Sequence, residues 1–283
     1  MVNPHVINTS QPDEVAQAVK AIFEKFWGDA NFPLLDRVFA DVSGMFEGRH
    51  PGYQAIDMKY HDYEHSLQAT LCQAHLLEGR ALSDDTPTLK ARDWELSVIA
   101  TLLHDTGFLK YTGDDKGTGA KYTLVHEVRS CEFARAYLPQ IGLTKEEIED
   151  VCSAIMCTGP RSKIDEVFFR REEARIMGYM LVTADYLAQI GAGDYLEKLP
   201  RLYEEFEESF NFNRIPPEER PYNSLRQLLE MTPAFWERFV LPVLNDKVGG
   251  VYRYLSRGKS NPYIAAAEAN VAELIRRLEA GEA

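Results

Sequence analysis

Apolar residues recur along this chain at spacings of three and four, the period of a helix buried on one side. In residues 14–27, Val15, Val19, Ile22, Phe23 and Phe26 keep that spacing and predict one amphipathic helix, and residues 31–46 predict a shorter piece packed around it. After the turn His50-Pro51-Gly52, a helix is expected to carry His61 and His65 and to run to about Glu78. A polar stretch with Pro87, residues 83–88, separates it from the apolar run Leu96-Ser97-Val98-Ile99-Ala100-Thr101-Leu102-Leu103, a helix that ends in His104-Asp105.

Residues 106–122 contain four glycines and no period, so they read as a loop, a mobile rim beside the His-Asp pair. Gly117-Thr118-Gly119-Ala120-Lys121 lacks the spacing of a phosphate loop, and no strand precedes it. A helix over about 124–138 opens near His126-Glu127 and is stopped by Pro139 and Gly142. Thr144 and Glu147 form a capping box that starts a helix to about 158. Residues 171–190 predict a long helix with Ile176, Met180, Thr183, Ala184 and Leu187 inward and Asp185 among them. Residues 195–210 continue helical with a solvated acidic face, and 214–221 have the composition of a linker. Two last helices are expected at 233–256 and 262–280, the second ending in Arg276-Arg277 as its dipole prefers. With only short isolated runs left for strands and no repeat visible, the expectation is an all-α chain. Residues 1–283 read as one domain, with a metal-site core at about 55–190 and substrate-pocket helices at about 191–283.

Charge narrows the partners. The formal net charge of the 283 residues is −13, and lysine and arginine are scattered without a basic run. That argues against a lasting nucleic-acid partner, which needs clustered positive charge. A small anionic substrate remains compatible, because a divalent cation inverts the field locally. Cys72, Cys131, Cys152 and Cys157 include no Cys-x-x-Cys pair and read as core thiols in a reducing compartment. The polar first 13 residues suggest no secretory signal, and no apolar run approaches the ~20 residues of a membrane span. A cytoplasmic protein without a membrane partner is therefore expected.

The chemistry gathers in a few residues. If His61 and His65 share a helix, their spacing puts them on one face, one turn apart. A His-Asp pair at the end of an apolar helix is costly to bury unless compensated, and a metal ion is the commonest compensation. Either pair alone is frequent by chance. Together with Asp185, His65, His104 and Asp105 make a set of two imidazoles and two carboxylates suited to Zn, Fe, Mn or Ni. The adjacent His104 and Asp105 allow one carboxylate to bridge to a second ion, an arrangement suited to phosphate-ester hydrolysis. His61 could then stay unmetallated and protonate the departing alkoxide, a role typically worth ~10²–10⁴ in rate. His126 reads equally as a ligand, a ligand's neighbour or a helix start. His75 reads as a core or boundary residue, and His5 and His50 carry no role.

His65, then His104-Asp105, then Asp185 resemble the signature of the HD-domain metal-dependent phosphohydrolases, and more closely the class I cyclic-nucleotide phosphodiesterases. Tyr60-His61 followed by His65 is similar to that catalytic domain's Tyr-His-Asn-x-x-His, with Asp62 in place of the Asn. Over roughly residues 55–280 the resemblance continues at Thr158-Gly159, where the family has Thr-Asp, at Thr183-Ala184-Asp185, at Glu205-Phe206, and from Phe235 to Leu241-Pro242-Val243. It implies an all-helical phosphodiesterase-like bundle with two divalent ions, the first Zn, Fe, Mn or Ni and the second Mg or Mn. His65, His104, Asp105 and Asp185 would be ligands, with Asp105 and the acid His61 catalytic. His126, Glu127 and Thr158 fall around the second ion. The chain lacks at Thr158 the extra histidine of the cyclic-dinucleotide branch, so Asp105 and water would chiefly hold that ion. Leu202 and Phe235 would be apolar jaws around a base. Thr232 stands where the family's purine-reading glutamine stands, and Ala188 where it has Asn. The implied activity is hydrolysis of a cyclic nucleotide or related small phosphoester through metal-bound hydroxide. A nucleotide phosphomonoesterase of the same superfamily and a non-catalytic metal-binding regulatory protein are the alternatives.

Overall fold

A computed structural model describes residues 7–28, 32–159 and 162–282. Residue 31, where the second helix was expected to begin, and His5 lie outside the described residues. Ten α-helices appear among those described: α1 Pro12–Trp27, α2 Pro33–Phe46, α3 Tyr63–Ala81, α4 Ala91–Leu103, α5 His126–Tyr137, α6 Lys145–Ile155, α7 Glu172–Ile190, α8 Tyr195–Phe212, α9 Leu225–Phe235 and α10 Pro262–Ala280. The described residues contain no β-strand, only isolated bridges between Tyr53 and Tyr111 and between Arg257 and Ser260. The fold is all-α as expected, and no described helix is long and apolar enough to cross a membrane.

Helix α3 is the axis of the bundle, packed against α1, α4, α7 and the turn Val251–Leu255. Enclosed on several sides, it has no broad polar face: Leu67, Ala69, Leu71, Cys72, Ala74, Leu76 and Leu77 are all buried. Each such leucine contributes about 1.5–3 kcal/mol relative to exposure. Polar residues in this layer bond to the backbone one turn back, as Thr70 does to the Ser66 carbonyl (2.7 Å) and Thr101 to the Ser97 carbonyl (3.0 Å). A continuous cluster of buried apolar side chains runs from Val15 to Leu274, and all four cysteines lie within it, unbridged.

The capping box at Thr144 is present, its hydroxyl accepting from Glu147 N–H (3.2 Å) while Glu147 accepts from Thr144 N–H (2.8 Å). Three expectations need correction. First, His61 is not on a helix. Asp62 is the N-cap of α3, its carboxylate accepting from His65 N–H at 2.9 Å, so the helix begins after His61 and holds His65 in its first turn. Second, the helix expected over 233–256 begins earlier and ends sooner: helical turns, partly of the wider π kind, run from Leu225 to Lys247. Ser224 caps α9 by accepting from Gln227 N–H (3.2 Å), well before Pro233. Proline 242 lacks an N–H, and around it the chain widens: Leu241 N–H reaches back to the Trp236 carbonyl and Val248 N–H to the Val243 carbonyl, five residues apart. Gly249 (φ 63°) and Gly250 (φ 64°) then turn the backbone left-handed, leaving only a short 3-10 turn beyond.

Third, residues 106–122 are pinned, not a loose rim. Lys110 Nζ bonds Asp57 (2.8 Å) and the Gly117 carbonyl (2.8 Å), and Glu208 accepts from the Thr118 hydroxyl at 2.7 Å. The Arg129 guanidinium donates to the Gly107 (2.7 Å) and Leu109 (2.8 Å) carbonyls while lying 3.6 Å from the centre of the Tyr122 ring. Buried lysines and a stacked arginine do here what a periodic apolar pattern does in a helix.

Candidate metal centre

The start of α3, the end of α4 and the last third of α7 meet at one point, so α3 runs against both α4 and α7. There His65 Nε2 lies 3.1 Å from Asp185 Oδ1 and 3.4 Å from Asp105 Oδ2. His104 Nε2 lies 3.3 Å from the same Asp105 oxygen and 3.7 Å from Asp185 Oδ1. The side chains of His65, His104 and Asp105 are at most 3% exposed. The His104 Nδ1 is 2.7 Å from the Thr101 carbonyl, which can only accept, so Nδ1 carries the hydrogen and Nε2 turns its lone pair toward the carboxylates.

His65 Nε2, His104 Nε2 and Asp105 Oδ2 are buried with no hydrogen-bond partner. Converging lone pairs in a buried space are costly unless a cation lies between them. Donor atoms bonded at ~2.1 Å to one ion stand ~3.0–3.4 Å apart along a tetrahedral or octahedral edge, close to the separations here. His65, His104 and Asp185, whose ligand atoms all lie within 4.8 Å of one another, fit a divalent cation, with Asp105 bordering them. Burial works against charge on His104, but Asp105 and Asp185 outweigh it and lift its pKa to about 9. Burial likewise opposes charge on Asp185, yet the imidazoles of His104 and His65 beside it hold its carboxyl well below the usual range.

Asp105 faces two ways. Its other oxygen, Oδ1, is 3.7 Å from His126 Nε2, and His126 Nδ1 faces the Thr123 carbonyl at 2.9 Å. Glu127 is buried beside it, with Oε2 3.3 Å from His126 Nδ1. A Cβ on Gly107 would collide with the His126 carbonyl, so only glycine lets the turn after Asp105 lie against the start of α5. Thr158 is buried, and its hydroxyl donates to the Ile155 carbonyl at 2.8 Å. Its neighbour Gly159 presses close to the Glu127 carboxylate.

His61 reaches the centre from the segment before α3. Its Nδ1 is 2.7 Å from Glu205 Oε2, while Glu205 Oε1 accepts from the N–H of Lys59 (2.8 Å) and of Tyr60 (2.7 Å). Burial disfavours the imidazolium of His61, but the Glu205 bond, backed by Asp105 and Asp185, raises its pKa above the ordinary value. The Phe108 ring stacks with His61 (5.0 Å between centroids) and with His126 (4.5 Å), tying the two imidazoles to one aromatic plate. In the sequence, Glu205 was visible only as part of a motif match, and Phe108 and Gln189 carried no signal.

Phe235 is 42% exposed, stacks on Phe239 (5.2 Å) and meets Tyr186 edge-on (6.3 Å), forming an aromatic wall beginning one residue beyond Asp185. Leu202 lies on α8, partly buried against the main core. The Thr232 hydroxyl donates to the Leu228 carbonyl (2.9 Å), and Ala188 lines a cavity of about 280 Å³ with Gln68, Leu71, Ala192 and Tyr263. His75 bonds the Tyr263 hydroxyl (2.9 Å), and His50 packs on Tyr53 and Phe133, both away from the centre. No protein-family model and no curated protein matches the chain.

Proposed function

We propose that the protein is a metal-dependent phosphohydrolase of the HD-domain kind, a phosphodiesterase acting on a cyclic nucleotide or related small phosphoester. One observation carries the reading: three buried, orphaned ligand atoms, of His65, His104 and Asp105, converge beside the Asp185 carboxylate and next to a histidine whose far nitrogen is held by a carboxylate. His65, His104, Asp105 and Asp185 would hold a first ion of Zn, Fe, Mn or Ni. Asp105 Oδ1, with His126 nearby, would face a second, Mg or Mn. When bound, such ions supply the positive charge that polarises a phosphoryl oxygen and activates water.

The chain's own residues do the rest. With Nδ1–H given to Glu205, His61 has only Nε2 to exchange with substrate. As the P–O bond to the leaving group breaks, Nε2 gives its proton to the departing oxygen and takes one back from solvent before the next turnover. Glu205 stabilises the imidazolium between those events, and Phe108 limits the ring's rotation. Tyr186, Phe235 and Phe239 offer a planar group a stacking surface, worth about 1–3 kcal/mol per base. With the Thr232 hydroxyl spent on its own helix, a base edge meets no amide reader there, so stacking outweighs base identity. That feature also favours the phosphomonoesterase alternative, in which the ester, not the base, is recognised.

The test is elemental analysis of the purified protein, followed by turnover of cyclic nucleotides, linear diesters and nucleotide monoesters with Mn²⁺ or Mg²⁺ added. Bound metal with hydrolysis of a diester is the expected result, and release of inorganic phosphate from monoesters alone selects the alternative. Tightly bound metal with no turnover of any ester would leave a regulatory metal-binding protein. Asp105→Asn should lose metal and turnover together.

A further inference from the structure

Asp185 has a hydrogen-bond partner that is not itself a ligand. Gln189, one turn further along α7, places Nε2 3.3 Å from Asp185 Oδ1, the oxygen that faces His65 and His104. Gln189 Oε1 accepts the Tyr60 hydroxyl at 2.8 Å. The partners themselves dictate the amide's orientation. An ionised carboxylate only accepts, so the amide N–H must turn toward Asp185, which leaves the amide oxygen for the phenol, a group with a hydrogen to give. Tyr60 is 3% exposed and belongs to the segment before α3, far from Gln189 in sequence.

We propose that Tyr60 and Gln189 are positioning residues, a relay that locks the Asp185 carboxylate in its ligating rotamer and ties that rotamer to the segment carrying His61. The inference rests on the metal-centre reading above. Tyr60 takes part in both halves of the centre. Its N–H is held by Glu205, the carboxylate that also holds His61 Nδ1, while its hydroxyl reaches Asp185 through Gln189. The proton donor and the ligand from α7 are thus set by one short stretch, and neither can turn without disturbing Tyr60. The Asp185 side chain is 15% exposed, against 2% for Asp105, so it is the ligand with the most room to swing toward water. Hydrogen bonds behind a ligand typically change metal affinity 10–100-fold when removed.

The experiment strips the full chain with a chelator and measures its affinity for Mn²⁺ and for Zn²⁺ by competition with a chromophoric chelator. Tyr60→Phe, Gln189→Leu and the double variant are compared with wild type, together with each protein's metal-free unfolding temperature. Each single variant should bind ~10–100-fold more weakly. The double variant should bind little worse than the weaker single, because both changes cut the same chain. The metal-free unfolding temperature of Tyr60→Phe should stay within a few degrees of wild type. Wild-type affinity in both single variants would overturn the relay, as would losses that multiply in the double variant or an affinity loss matched by collapse of the metal-free fold. A wild type that binds neither ion, as Asp185→Asn should not, would instead overturn the metal-centre reading and the relay with it.

Discussion

His61, His65 and His104 differ in what holds each imidazole. His104 gives Nδ1–H to a backbone carbonyl and keeps a lone pair for the centre, His65 leaves Nε2 without a partner, and His61 is bound through Nδ1 to Glu205. Removing His61 therefore leaves the orphaned atoms in place. His61→Gln should retain the wild-type metal content and lose ~10²–10⁴ in turnover, both read on one preparation. Turnover near wild type would refute its role as the acid. His75 is the opposite case, a histidine with no share in the centre. Burial, then Arg257 and Lys25 against Glu78, push its pKa down to about 4. An unfolded histidine titrates near ~6.5, so on acidification the unfolded chain takes up the proton first. Its contribution to stability is complete above that pH and is lost as pH falls from about 6.5 toward 4, costing about 2 kcal/mol by pH 5. Urea unfolding at pH 7.5 and pH 5 should show a shallower decline for His75→Gln than for wild type, and equal declines would contradict it.

At the scale of elements, the start of α3 decides which histidine does what. Read along the sequence, two histidines four apart suggest a shared helical face. The Asp62 cap cuts the helix between them, leaving His65 inside its first turn and His61 in the preceding segment under Glu205. Asn caps as well as Asp does, so the departure from the resembling motif at this position changes little physically. Asp62→Asn should unfold within a few tenths of a kcal/mol of wild type, whereas Asp62→Ala should lose about 1 kcal/mol in denaturant melts. A full kilocalorie lost by Asn would show that the second oxygen, 3.6 Å from Lys198, carries the effect instead. Capping also decides where the helix around Pro233 begins. Pro233 resembles a first-turn proline, yet Ser224 is the true cap, and a helix already bonded upstream carries proline by widening its turns.

At the scale of the whole molecule, the centre joins α3, α4 and α7, elements that pack against one another and against α1, α2, α6 and α10. An ion bound only by the folded chain stabilises it by about 2.7 kcal/mol at a concentration 100-fold above its Kd. That should raise the melting temperature by roughly 5 °C or more over protein in chelator, and an unchanged melting curve at saturating ion would contradict a ligand set shared by three core helices. Most of the helices, the capping box at Thr144 and the grouping of His65, His104 and Asp185 could be read from the chain alone. Apolar period and capping are local properties, and a buried His-Asp pair is conspicuous by its cost. Tertiary structure alone decided the rest: that Glu205 holds His61, that Phe108 plates two imidazoles, that Tyr60 reaches Asp185 through Gln189, and that lysines pin residues 106–122. Each of these is a contact between side chains distant in sequence or placed by irregular backbone. Periodicity reports which face of an element is buried, and it carries no record of what that face will meet.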